Sequence, residues 1–330
     1  MLRVIVSGTR WAMKRAGWSS ILVAVVILAV AGLAEAQPAS KVYRIGFLLT
    51  TTTDANRPRA ILERLRELGY VEGQNLVVEQ SDKVKGLVGR KVDVIVVFGT
   101  ETALDAKKAT SAIPIVMTSS ANPIQNGLIA SLARPGGNVT GMTSLSGELG
   151  GKRLEVFKDA VPRLSRVVIP APALSPTEDA FIKETEPAAR ALKIQLIRFA
   201  VRGPEDYEEI FNVAKKERAD GLLTRLSSAT TPAAQRKQLV DLAAKHRLPA
   251  IYEGAIYVEE GGLMSYSPDI AERFQRTAVM VDKILKGANP ADIPVERPTK
   301  FEFVINLKAA KQIDLTIPPN VLARADKVIK

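Results

Sequence analysis

From about residue 41 onward, one device recurs along the chain. A short, nearly unbroken Val/Ile run is followed by a segment whose apolar residues keep helical spacing. "VYRIGFLL" leads into "PRAILERLRELG", where Ile61, Leu62, Leu65 and Leu68 share a helix face, Pro58 suits the first turn and Gly69 the stop. "NLVVEQ", "VDVIVVFG", "IPIVMTS" and "NVTGMTSL" follow as strands, with "ETALDAKKAT" and "PIQNGLIASLA" as intervening helices. Runs that are apolar at every position suit strands buried on both faces, which predicts a mostly parallel α/β sheet. After a longer helix over 147–161 the rhythm restarts with "SRVVIP", "IQLIRFAV", "DGLLTRLS" and "LPAIYEG" as strands. "PEDYEEIFNVAKKERA" and "TPAAQRKQLVDLAAKHR" are the helices between them, basic at their ends as the macrodipole prefers. A late strand "GLMSYS" precedes a helix over 269–286, and the proline-rich connector "GANPADIPVERPTK" leads to a last strand and short helix in "FEFVINLKAAKQI". The pattern predicts two α/β lobes of similar build.

The first 36 residues have a different character. Arg3, Arg10, Lys14 and Arg15 precede an apolar run from Ile21 to Ala31, and Ala34-Glu35-Ala36 before Gln37 fits a small-x-small cleavage site. A signal peptide over 1–36 is expected, with a retained membrane anchor as the alternative; the Ala-x-Ala pattern favours cleavage. No later segment is long and apolar enough to span a membrane, so the exported chain is expected to be soluble. The chain has no cysteine, which excludes disulfides, thiol nucleophiles and a lipid anchor at the cleavage site, and its single histidine excludes multi-His metal sites. No cofactor or metal is expected. The formal net charge is +11, of which four bases and Glu35 in the leader supply +3, leaving +8. Lys and Arg are interleaved with Glu and Asp and form no basic-aromatic cluster, so the charge reads as solvated surface and no nucleic-acid partner is expected.

"SLARPGGNVTGM", 131–142, poses the question of a phosphate cradle. A phosphate loop runs from a strand into a helix, whose amides meet the anion. Here the Gly136-Gly137 pair follows the expected helix "IQNGLIASLA", and neither nucleotide-loop pattern occurs. The stretch is read as a turn.

Ligands of open α/β sheets bind beyond the carboxyl ends of the strands. In the first lobe those ends are Thr50, Thr51 and Thr52; Gly99 and Thr100; Thr118, Ser119 and Asn122; and Ser144. They are rich in small hydroxyls and uncharged, which suits hydrogen bonding to a small polar ligand. Each hydroxyl could instead cap the next helix, Thr100 in particular. Helix starts at Glu101 and Gly147 offer amides to a carboxylate. In the second lobe Ser227, Ser228, Tyr252 and Glu253 hold the equivalent positions, and Tyr266 lies near a crossing between lobes. The tyrosines could stack on a ligand or simply fill the core. His246 ends a basic helix and reads as a surface residue, while Glu63, Glu67, Glu155 and Asp159 read as solvated faces. No nucleophile-base pair falls on the strand-end loops, and no G-x-S-x-G elbow occurs, so a secreted hydrolase lacks its machinery.

The ordered set "ELGYVEGQNLVVE", "KVDVIVVFGT", "GLIASLARPGGNVTGMTSL", "GKRLEVFKDAVPRLSRV", "GGLMSYSPD" and "VDKILKGANPADIPVERPTKFEFVINLKAAKQI" closely resembles ABC-transporter substrate-binding proteins of the tryptophan/tyrosine-binding-like family, from Tyr43 to the C-terminus. The resemblance implies an α/β type I periplasmic-binding fold, two flavodoxin-like lobes joined by a hinge. Lobe one would take 41–145 with 266–290 returning to it, and lobe two 146–265 with 291–330 returning. It implies a monomeric, periplasmic, non-enzymatic receptor that captures a small polar solute, an amino acid or related carboxylate or amide, and delivers it to an ABC permease in the inner membrane. A sensor subunit for a signalling receptor is the alternative. Two departures from the family pattern stand out. Only "SDKVKGLVGR" remains between the second and third strands, predicting a short or irregular helix there. Pro170, Ala171 and Pro172 replace a Trp-Asn-Pro segment, removing an aromatic platform and an amide from the cleft.

Overall fold

The computed structural model describes residues 41–49, 57–144, 146–172, 176–226 and 231–330. The expected leader, the Thr50–Thr52 loop and Ser227 and Ser228 lie outside them. Residues Tyr43–Lys330 form one compact unit.

The first sheet contains β1 (Tyr43–Leu48), β2 (Leu76–Ser81), β3 (Val94–Val97), β4 (Ile115–Ser120) and β5 (Val139–Thr143). Its order is β2-β1-β3-β4-β5 with every pair parallel, the flavodoxin-like doubly wound order. Val94, Ile95, Val96 and Val97 are all fully buried, because alternate side chains feed two cores. Ile45, Phe47, Val94 and Val96 pack with Ile61 and Leu65 of α1 (Arg57–Glu67) on one face. Ile95, Val97 and Met117 pack with Leu87 of α2 (Val84–Gly89) and Ala103 and Ala106 of α3 (Thr100–Ala109) on the other. The crossover between β2 and β3 is thus the six-residue α2, short as the sequence predicts.

The second sheet follows α4 (Ser146–Ala160) and holds β6 (Arg166–Pro172), β7 (Gln195–Val201), β8 (Gly221–Leu223), β9 (Ala250–Tyr252), β10 (Met264–Pro268), β11 (Phe301–Asn306) and β12 (Lys327–Ile329). Its order is β7-β6-β8-β9-β10-β11-β12; β6 to β10 repeat the parallel pattern and β11 joins antiparallel to β10. The connecting helices are α5 (Pro176–Ala191), α6 (Tyr207–Lys216), α7 (Ala233–Lys245) and α8 (Ala255–Glu259). The helix α9 (Ile270–Leu285) leaves β10 but packs on the first sheet, burying Phe274, Ala278 and Val281 beside Ile61 and Val96. Asp269 caps it, its carboxylate accepting from Ala271 N and Glu272 N. Residues 290–296 lie along β5: Thr143 N donates to Glu296 O, and Thr140 Oγ1 donates to Ile293 O at 2.8 Å. The chain therefore changes sheets near 145, 269 and 297–300, so the expected bounds at 266 and 291 move to about 269 and 297. The short helices α10 (Leu307–Gln312) and α11 (Pro319–Leu322) close the chain on the second sheet. Among the described residues no helix is long and apolar enough to cross a membrane.

One expected helix is absent. Residues 123–133, "PIQNGLIASLA", run as turns and bends, although Ile124, Leu128 and Leu132 keep helical spacing. Asn122 (φ 46°) and Gly127 (φ 68°) are left-handed, and the Pro123 carbonyl accepts from both Leu128 N and Ile129 N, closing a loop where a helix would run on. Gly136 is also left-handed (φ 75°), and the Gly136-Gly137 pair leads into β5. The turn reading of that stretch stands, but on a different ground: a strand, not a helix, follows the glycines, so no helix amides face an anion there.

Candidate functional site

The carboxyl ends of both parallel sheets form the candidate site. On the first sheet, Gly99 (φ 104°) precedes α3 as its N-cap residue, a backbone conformation that glycine adopts at little cost. Thr100 does not cap its helix, which removes the alternative reading of its hydroxyl. Its Oγ1 accepts from Ala121 N at 3.0 Å and from Ser120 Oγ at 3.2 Å, tying the start of α3 to the loop after β4. Ser144 N donates to Ser120 O at 2.9 Å, so the ends of β3, β4 and β5 are held together by hydroxyls and amides. Thr118 is buried within β4 and Ser119 is half-buried. Asn122 reaches outward: its Nδ2 donates to Glu184 Oε1 of α5 at 3.3 Å, linking the loop after β4 to a helix of the second sheet. Gly99, Thr100, Ser119, Asn122 and Ser144 thus share one rim.

On the second sheet the expected aromatic contact is not at the rim. Tyr252 is 1% exposed and stacks on Tyr257 with ring centroids 4.9 Å apart, inside the core shared with α6 and α7. Strand alternation is the cause: at the end of β9 one residue faces that core and its neighbour faces the other side. The neighbour is Glu253. Tyr266 of β10 is half-buried and stacks on Phe301 at 5.7 Å.

Around Glu253 lies a charge cluster that sequence reasoning missed. Arg225, two residues past β8, donates from a guanidinium nitrogen to Glu253 Oε1 and covers the Phe181 ring at 4.2 Å. Its backbone N–H donates to Pro170 O of β6 at 3.1 Å. Arg153 of α4 places a guanidinium nitrogen 3.6 Å from Glu253 Oε1 and donates from Nε to Tyr266 O at 2.8 Å. Burial pulls the Arg153 pKa down to about 10; Glu253 opposes that shift and Arg225 adds to it, and the side chain stays charged at neutral pH. Gly150 lets this happen. A Cβ there would lie 2.1 Å from Thr185 Oγ1 and 2.6 Å from the Phe181 ring, so only glycine lets α5 approach α4 and slide Phe181 beneath Arg225. The signal for Arg153 is present in the sequence, since it shares the helix stripe of Leu149, Leu154 and Phe157, where a charge is out of place. His246 is remote from both rims, stacked on Phe211 at 5.0 Å and within 3.1 Å of Glu208 Oε1.

Residues 55–329 match the family model described as ABC transporter substrate binding protein. A tyrosine-binding protein of Clostridioides difficile (strain R20291) is 23% identical over 270 residues, covering 78% of this chain and 76% of that protein. A Streptococcus pneumoniae ABC domain solved in complex with L-Trp superposes with a TM-score of 0.78 at 25% identity, over 88% of this chain and all of that one. A conserved domain protein of Vibrio cholerae O1 biovar El Tor gives the same TM-score, 0.78, and identity, 25%, over 88% of this chain and 99% of its own. With two doubly wound sheets, three crossings between them and a family match over most of its length, the chain belongs to the ABC transporter substrate-binding protein family.

Proposed function

We propose that this protein is the exported, non-enzymatic receptor of an ABC importer, which captures an amino acid between two lobes and presents the closed form to a membrane permease. The lobes are 43–143 with 270–296, and 146–268 with 301–329, turning about the three crossings. The Asn122–Glu184 hydrogen bond carries this reading, since it spans from one sheet's rim to a helix of the other and is a contact that lobe opening would break. Amino-acid binding is supported by the tyrosine-binding and L-Trp-bound relatives. The first rim hydrogen-bonds the ligand through Ser119, Asn122, Ser144 and the threonines at 50–52; Thr100 supports that rim. The receptor acts as a monomer in the periplasm, starting at Gln37 after removal of its leader.

Thermal denaturation with L-tyrosine, L-tryptophan and L-leucine tests the ligand class. A ligand at a hundredfold excess over its Kd adds about 2.7 kcal/mol, which for a domain of this size is about 5–10 °C. No shift with any of them would remove the amino-acid reading. N-terminal sequencing of the exported protein checks the start at Gln37.

A further inference from the structure

The hydrogen bond between Asn122 and Glu184 joins two seats that are each fixed to their own sheet. On the first lobe, side chains hold both backbone groups of Ala121. Its N–H donates to Thr100 Oγ1 at 3.0 Å, and its carbonyl accepts from Asn126 Nδ2 at 2.7 Å. Farther along the loop, Lys107 Nζ reaches over from α3 and donates to Gly127 O at 2.6 Å and to Leu128 O at 3.0 Å. Asn122 is therefore set in a loop tied to α3 on both sides of it, in the left-handed conformation (φ 46°) that asparagine tolerates better than most residues. On the second lobe, Glu184 is exposed but its neighbour Thr185 is fully buried. One turn past Glu184, a Cβ at Gly151 of α4 would lie 3.1 Å from Ala188 Cβ, so the two helices are closely seated. Each end of the contact moves only with its lobe.

The pair is also directional. A carboxylate only accepts, so Asn122 turns its Nδ2 toward Glu184 Oε1. That leaves Oδ1, an acceptor with no hydrogen bond to a described residue. We propose that Glu184 is a positioning residue of the receptor: it latches the closed form through Asn122 and, by taking the donor end of the amide, leaves the acceptor end for a donor on the ligand such as an ammonium group. The inference rests on the receptor reading above and goes beyond it by making part of lobe closure independent of the ligand. A solvent-exposed hydrogen bond to a carboxylate is worth about twofold to tenfold in the ratio of closed to open protein. A ligand of the closed form binds in proportion to the closed fraction, so Glu184 raises affinity without touching the ligand. Two other roles make different predictions. A surface residue that merely decorates α5 would leave closure unchanged, and a carboxylate that blocks Asn122 would weaken binding when present.

Single-molecule energy transfer on the exported full-length chain separates these roles. The chain has no cysteine, so Lys108→Cys on the first lobe and Arg190→Cys on the second, both at exposed positions, carry the dyes without competing sites. In ligand-free protein, Glu184→Ala is expected to lower the ratio of closed to open molecules about twofold to tenfold. Glu184→Gln keeps an oxygen in the same place and is expected to restore most of it. Calorimetry without the dyes uses L-tyrosine, L-tryptophan and L-leucine. Any of them that binds wild type should bind Glu184→Ala more weakly, by the factor that the lost closed fraction dictates. A distance distribution of Glu184→Ala equal to that of wild type would overturn the latch. Tighter amino-acid binding by Glu184→Ala would overturn it too, in favour of the blocking role. A lost closed fraction with no matching loss of affinity would overturn the positioning role. Binding of none of the three amino acids removes the amino-acid reading, while a shifted ligand-free distribution keeps the latch.

Discussion

Thr100→Val is nearly isosteric and removes one oxygen. In the folded protein that oxygen accepts from Ala121 N at 3.0 Å and from Ser120 Oγ at 3.2 Å. The Ser120 hydroxyl keeps a weak alternative at the Ala121 carbonyl, 3.5 Å away, but the Ala121 N–H is left without an acceptor. Ala121 is half-buried, so an unsatisfied amide there costs about 1–2 kcal/mol, toward the lower part of the buried range. For a domain of this size each kcal/mol lowers Tm by about 2–4 °C, so the ligand-free variant should melt about 2–8 °C lower. Thr100→Ser keeps the acceptor and should recover most of the loss. Hydrogen exchange at the Ala121 amide should accelerate by about an order of magnitude in the valine variant, since the opening becomes local. From the sequence alone Thr100 was a candidate ligand contact, with a helix cap as the alternative. The structure makes it a support of the rim, so weaker binding should accompany lost stability. A valine variant that melts within about 1 °C of wild type, with unchanged exchange at Ala121, would refute this account.

Three further outcomes follow from local geometry. Gly141 has φ 133°, and a Cβ there would stand 2.0 Å from Met117 O and 2.7 Å from Met117 N, so Gly141→Ala must push β4 and β5 apart. Urea unfolding should show a loss of about 3 kcal/mol or more, and a loss under about 1 kcal/mol would contradict the packing described. The Glu272 carboxylate accepts from Thr299 Oγ1 and Lys300 N and sits near Arg276, which holds its pKa below the ordinary 4.5 and fixes the third crossing. A depressed carboxylate stabilises fully above its unfolded pKa and loses that contribution as pH falls through the folded value. Melting curves of Glu272→Gln should therefore lie lower at neutral pH and fall less steeply below pH 4.5; an unchanged acid slope counts against it. His246→Ala should lose less than about 1.5 kcal/mol, from the Phe211 stack, with no change in ligand affinity by calorimetry.

The parts of the fold that the sequence showed plainly are those whose physics is local. Val94–Val97 is apolar at every position because it is buried on both faces, and the same rule exposed most of the other strands. The short α2 was visible as a missing length of chain. The loop at 121–133 was not, because Ile124, Leu128 and Leu132 have the spacing of a helix and only the left-handed Asn122 and Gly127 forbid one. α5 was passed over for the opposite reason. Its interior holds Pro187 and few large apolar residues, so neither propensity nor period announced it, yet Phe181 is 1% exposed.

At the rim, the error was one of parity. Tyr252 and Glu253 are adjacent, and a strand sends adjacent side chains to opposite faces, so choosing between them needs to know which face the neighbouring helices cover. The tyrosine looked like a ligand contact because it is aromatic; packing gave it to the core and paired the glutamate on the other face with Arg225. Arg153 could have settled the choice. It lies on the stripe of α4 marked by Leu149, Leu154 and Phe157, where a guanidinium must leave water, and a guanidinium that leaves water needs a carboxylate within reach. The carboxylates of its own helix face away: Glu148 pairs with Arg297, Glu155 with Lys152 and Asp159 with Arg324, all at the surface. The partner had to come from the sheet beneath, where the strand ends offer Glu253, a carboxylate that Arg225 of the neighbouring strand end also reaches.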